Sequence, residues 1–105
     1  MTTKPLWSFI VGILSICVLA RADAADVENG KRIAERWCVS CHAVSSNQKS
    51  ASTEAPPFSA VANKPAFDAG TLALFLLHPH PKMPDIGLSR DAAADLASYI
   101  ARQRE

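Results

Sequence analysis

Apolar and polar positions divide this chain into blocks of different kinds. Leu6 to Leu19 is a nearly unbroken apolar run, with Lys4 before it and Ala20, Ala22 and Ala24 after it at alternate positions. A charged start, a short apolar run and an A-x-A site describe a secretory signal peptide, and the run is short for a membrane span, the alternative being a retained anchor. Residues 1–24 are therefore expected to be removed, with Ala22 as a second cleavage point, leaving 25–105 as one domain. Past this leader, Gly30, Ile33, Ala34 and Trp37 recur at helical spacing. Asp26 can cap that segment and Glu28 sits in its first turn, so a helix is predicted from Val27 to about Cys41 with Trp37 on its core-facing stripe. Ser45 to Thr53 is polar and reads as a loop. Pro56-Pro57 then introduces Phe58 to Ala62, one or two helical turns.

Thr71 to Leu77 is apolar all round, which predicts a buried helix with Thr71 as its cap, stopped at His78 by Pro79. Prolines 79, 81 and 84 make the next segment a stiff, extended strap. Ser89 caps a last helix running to about Gln103, with Leu88, Ala92, Leu96, Tyr99 and Ile100 on one face. Alternation of period two is essentially missing, so the fold class is all-α.

Charge changes this picture little. The 105 residues carry 11 basic and 10 acidic side chains, and the mature part is close to neutral. There is no electrostatic case for nucleic acid, and no basic run points to a membrane surface once the leader is gone. Cysteine usage matters more. Of three cysteines, Cys17 lies in the leader, so the exported domain keeps Cys38 and Cys41. Export implies an oxidising compartment. A disulfide across so short a loop would cross-link little, which points to chemistry.

The two cysteines stand in Cys38-Val39-Ser40-Cys41-His42. A thioredoxin-like dithiol wants its pair at a helix start after a strand, whereas this pair ends a helix. A zinc site drawing on His42, His78 or His80 would need the adjacent Cys41 and His42 to point at one ion, and there is no second C-x-x-C. C-x-x-C-H is the attachment sequence of a c-type haem and uses all three residues together. Two thiols add to the two vinyl groups, and the imidazole next in sequence rises under the iron. For the sixth position the candidates are Met83, His78 and His80, Met1 being lost with the leader. A thioether on iron favours the ferrous state, and Met83 lies in the proline strap, where little entropy is lost on ligation; a gap-filling core methionine is the plainer alternative.

With these residues in place the chain resembles the small monohaem class I cytochromes c of bacterial periplasms, over Gly30 to Ile100. The resemblance makes His42 the proximal ligand. It matches Gly30 to the first-helix glycine that Leu96 and Tyr99 pack across, and Pro56 to the carbonyl that accepts the histidine's Nδ1–H. Phe75-Leu76 and Lys82-Met83-Pro84 correspond to the distal helix and methionine loop. Departures are Ala34, where the family often has an aromatic, Pro57, and a short stretch between Phe58 and Thr71. The resemblance implies three main helices and loops wrapped around one covalently attached haem c, with Cys38 and Cys41 binding it and His42 and Met83 on the iron. It further implies a monomeric, non-enzymatic carrier of one electron between redox proteins such as a dehydrogenase, an oxidase or a cytochrome complex. The alternatives are a subunit permanently docked on a dehydrogenase, or a haem protein whose sixth ligand gives way to small molecules. Leu72, Leu74, Phe75, Leu76, Phe58, Ile33 and Leu96 are expected to pack on the haem or on one another, and the haem-free chain is expected to fold poorly.

Overall fold

A computed structural model describes residues 24–48, 55–78 and 82–105. The expected leader with Met1 and Cys17, the far part of the polar loop, and Pro79-His80-Pro81 lie outside the described residues. Helix α1 spans Val27–Ile33, α2 Phe58–Ala62, α3 Ala69–Leu77 and α4 Arg90–Ala101. No strand occurs among the described residues, so the domain is all-α as expected. None of the described helices is long and apolar enough to cross a membrane.

Asp26 starts α1 by accepting a hydrogen bond from Asn29 N at 3.0 Å. The helix does not run on to Cys41. From Ala34 to Cys38 it widens into one π-helical turn, closed by Val39 N donating to Ala34 O at 3.2 Å, and Cys41 and His42 come after it in tight turns. A π turn holds more residues than an α turn and so rotates the side chains within and beyond it off the α-helical stripe. Trp37 is accordingly 53% exposed rather than in the core, with the Arg36 guanidinium 5.0 Å from its ring centroid.

Helix α3 begins two residues earlier than the apolar pattern predicts, because Asp68 rather than Thr71 is the cap: its carboxylate accepts from Thr71 N at 2.7 Å and Thr71 Oγ1 at 2.8 Å. The expectation that α3 is buried all round also fails. Leu76 is buried, but Leu74 is 67% and Phe75 42% exposed. One side of α3 packs on α4 and another faces a cavity, which leaves Leu74 outside. Ser89 caps α4 as expected, accepting from Ala92 N at 3.1 Å.

Helix α4 is the hub, packing on α1, α2 and α3. Leu96 is the largest fully buried side chain described, and Ala93, Ala97, Tyr99 and Ile100 join it on the inner face. The crossing with α1 is close because residue 30 is glycine: a Cβ there would overlap the Asp95 carbonyl and stand 2.8 Å from Tyr99 Cβ. Asp95 ties the same crossing, accepting from Asp26 N at 2.7 Å and Asn29 Nδ2 at 2.8 Å. The two helices thus form a fixed base from which the segment after α1 departs.

Candidate functional site

That segment, residues 38–44, is irregular, yet its backbone is pinned on several sides. Cys41 N and His42 N both donate to Cys38 O, at 3.1 and 2.9 Å, which folds the two cysteines and the histidine into one compact turn. Phe58 N, at the start of α2, donates to Ala43 O at 2.9 Å. Tyr99 on α4 donates its hydroxyl to Val44 O at 2.8 Å. Burial raises the Tyr99 pKa, with the Glu35 and Glu28 charges adding to it, so the phenol stays a neutral donor.

His42 Nδ1 lies 2.6 Å from Pro56 O. A carbonyl oxygen can only accept, so Nδ1 carries the proton, and in the neutral ring Nε2 keeps its lone pair. The ring also stands 5.3 Å from Phe58, which in turn meets Tyr99 edge-on at 6.4 Å. Pro56 is therefore the orienting partner that the resemblance implied, and the two prolines before α2 hold its carbonyl in an extended segment.

Beside this turn is a cavity of about 440 Å³, within the range of small-molecule sites at about 300–1,000 Å³. Cys38 and His42 line it together with Phe58, Leu72, Phe75, Leu76, Leu96 and Ile100, and Met83 lines it from the strap. The structure thus brings Cys38, His42 and Met83 around one space. Cys41 is exposed and is not part of the lining, and His78 is an exposed residue capping α3. Of the expected packing set, Leu72, Phe75, Leu76, Phe58 and Leu96 line the cavity. Ile33 packs on the core instead, and Leu74 points elsewhere.

The donor chemistry fits a c-type haem better than the rival uses of two cysteines. Cys38 and Cys41 are not joined by a disulfide. Burial, and then the neighbouring Cys41, push the Cys38 thiol up to about 11. A dithiol oxidoreductase needs the opposite shift, since its nucleophile is a thiolate. No three His, Cys, Asp or Glu side chains gather to hold a metal ion among the described residues, so a zinc ligand set is not assembled there. A largely apolar cavity with a thiol and a lone-pair nitrogen on one side and a thioether in its lining suits a flat apolar macrocycle whose metal takes N and S ligands.

Sequence reasoning missed several contributors. Lys64 and Asp68 line the cavity from the connection between α2 and α3, and Ala66 between them takes a left-handed φ of 59°, where a non-glycine residue is uncommon. Gln48, read as one residue of a polar loop, bonds the backbone of the cysteine–histidine segment.

Comparison with known proteins agrees with this geometry. The model of the cytochrome c family matches residues 27–103. Cytochrome c-552 of Bradyrhizobium diazoefficiens is 51% identical over 81 residues, covering 77% of this chain and 78% of that protein. No solved structure gives a significant match. The match runs from the first residue of α1 to just past the end of α4, so the chain belongs to the cytochrome c family and its cofactor is a covalently bound c-type haem.

Proposed function

We propose that this protein is a periplasmic, non-enzymatic carrier of single electrons between redox proteins, with Cys38 and Cys41 as the attachment thiols and His42 and Met83 as axial ligands. The observation that carries this reading is the His42 Nδ1–Pro56 O contact of 2.6 Å, on a ring that faces a cavity also lined by Met83. When bound, the haem supplies the redox chemistry, its iron alternating between ferric and ferrous. The chain's own residues do the rest. The Pro56 carbonyl holds the Nδ1 proton, fixes the ring plane and makes Nε2 a stronger donor. Pro84 restricts the backbone next to Met83, so a thioether held there loses little freedom. Phe58, Leu72, Leu76 and Leu96 give the cavity an apolar lining, and an apolar setting with two fixed ligands limits rearrangement between oxidation states. The leader at residues 1–24 carries the chain to the compartment where haem is attached.

The test is an optical spectrum of the exported protein, ferric and then ferrous, with and without carbon monoxide. A sulfur-to-iron charge-transfer band that disappears in Met83→Ala, and a ferrous spectrum unmoved by carbon monoxide, are expected. A missing band together with a spectrum that shifts in the gas would overturn the Met83 assignment and favour a site that binds small molecules. A second reading, a domain docked permanently on a larger redox enzyme, is favoured by Leu74, 67% exposed on a helix with no charged residue. Co-purification of a stoichiometric partner from periplasm at native expression would select it.

A further inference from the structure

One side chain takes up several backbone groups of the cysteine–histidine segment. Gln48 Oε1 accepts from Val44 N at 2.9 Å, while Gln48 Nε2 donates to His42 O at 3.0 Å and to Val39 O at 3.3 Å. Helix α2 and helix α4 take Ala43 O and Val44 O from the other side. A primary amide offers an acceptor and two donors at one centre, whereas a carboxylate has no donor and an ammonium no acceptor. No regular secondary structure does this work between Val39 and Val44, so the carboxamide substitutes for it.

We propose that Gln48 is a positioning residue for His42, acting through the histidine backbone to keep the ring aligned on the Pro56 carbonyl. The proposal rests on the reading of His42 as the proximal ligand. The His42–Pro56 bond spans from the cysteine–histidine turn to the threshold of α2, so its length changes with any shift of the His42 backbone. Without the Gln48 amide, the carbonyls of Val39 and His42 and the Val44 N–H turn to water, and the turn relaxes away from α2. A longer Nδ1–H···O bond makes the imidazole a weaker donor. A weaker donor stabilises the ferric state less, so the reduction potential rises.

The experiment compares the haem-loaded full-length export product of the wild type with Gln48→Ala, Gln48→Glu and, as a control, Asn63→Ala. Asn63 makes a comparable side chain to backbone bond, Nδ2 to Ser59 O at 2.8 Å, outside the cavity lining. In Gln48→Ala the potential rises, and exchange of the His42 ring N–H with solvent quickens about tenfold, the worth of one net hydrogen bond. Gln48→Glu supplies its own rescue. Protonated, its carboxyl can donate to one carbonyl and the potential stays near wild type. Ionised, it has no donor and faces two carbonyl oxygens, so the potential moves to or past that of Gln48→Ala. Arg102, Arg104 and Glu105 line the same surface hollow as Gln48, so their charges set where the introduced carboxyl titrates, while Tyr99 stays neutral because its pKa is raised. Potential and ring-proton exchange equal to wild type in both Gln48 variants, even with a lower melting temperature, would overturn the proposal and leave Gln48 a loop staple. A wild-type protein without the magnetic-resonance signals of an iron-bound His42 imidazole would overturn the ligand reading, and this proposal with it.

Discussion

Gly30 meets α4 where a single added methyl group would collide with main chain. A Cβ on residue 30 would overlap the Asp95 carbonyl, and its next obstacle is Tyr99 Cβ at 2.8 Å. Neither can swing aside as the end of a long side chain could. Relief requires α1 and α4 to move apart, which would also strain the bonds from Asp26 N and Asn29 Nδ2 to Asp95. Gly30→Ala should therefore lose about 3 kcal/mol, the upper end of the usual cost of overpacking, read as a lower guanidinium midpoint of the haem-loaded protein. Tyr99→Phe is a milder change at the same crossing. It removes the hydroxyl that serves Val44 O and leaves that carbonyl short of a partner. A loss of about 1–3 kcal/mol is expected in the same denaturant assay, with the ferric spectrum unchanged because neither proposed ligand is touched.

At the scale of elements, α3 shows what a hydrophobic pattern can and cannot tell. The stretch Thr71 to Leu77 announces a helix by composition alone, but its start is set by a carboxylate outside the apolar run. Asp68 accepts from the Thr71 hydroxyl and from Thr71 N, and these bonds, the hydroxyl's first, lower its pKa from the ordinary 3.8. A folded pKa below the unfolded one gives stability that is fully present above the unfolded value and is lost as pH falls through the folded one. Asp68→Asn keeps an acceptor for the cap but carries no charge. Wild type should be the more stable at neutral pH, and the two should converge as acid protonates Asp68 in the wild type; parallel curves down to strong acid would show that the charge is idle. The other elements divide along the same physical line. The Asp26 and Ser89 caps, the Gly30 crossing, and Cys38, His42 and Met83 around one space were legible because each depends on a local motif or a residue type with one strong use. The π turn was not, since it arises from how the chain leaves α1 toward α2, and it carried Trp37 out of the core stripe. Gln48 was not either: its bonds join Val39, His42 and Val44, and a glutamine in a polar run announces no partner until the turn is built.

For the molecule as a whole, the cavity is the space that the proposed haem would fill. Helices α2, α3 and α4 all contribute to a space of about 440 Å³, and Phe58, Leu72, Leu76, Leu96 and Ile100 face it. A domain of this size buries only about 60% of the surface its unfolded chain exposes and has little apolar area to spare. On the proposed placement, removing the haem would turn these side chains toward water at a cost of about 25 cal/mol for each Å² uncovered, and it would also remove what the proposed ligation by His42 and Met83 contributes. What would remain are the contacts of α4 with α1, α3 and α2, which bury too little apolar surface to hold the domain by themselves. The chain exported as Cys38→Ser/Cys41→Ser, which cannot form thioethers, should show weak helical ellipticity and a broad, non-cooperative melt, whereas the haem-loaded protein melts in one sharp step. Haem added to the purified double variant should recover much of the ellipticity, because the proposed ligands His42 and Met83 are still present. That recovery separates a missing cofactor from damage by the substitutions. A sharp, native-like melt of the haem-free variant would mean instead that the helices fold on their own core and that the cavity is a preformed socket.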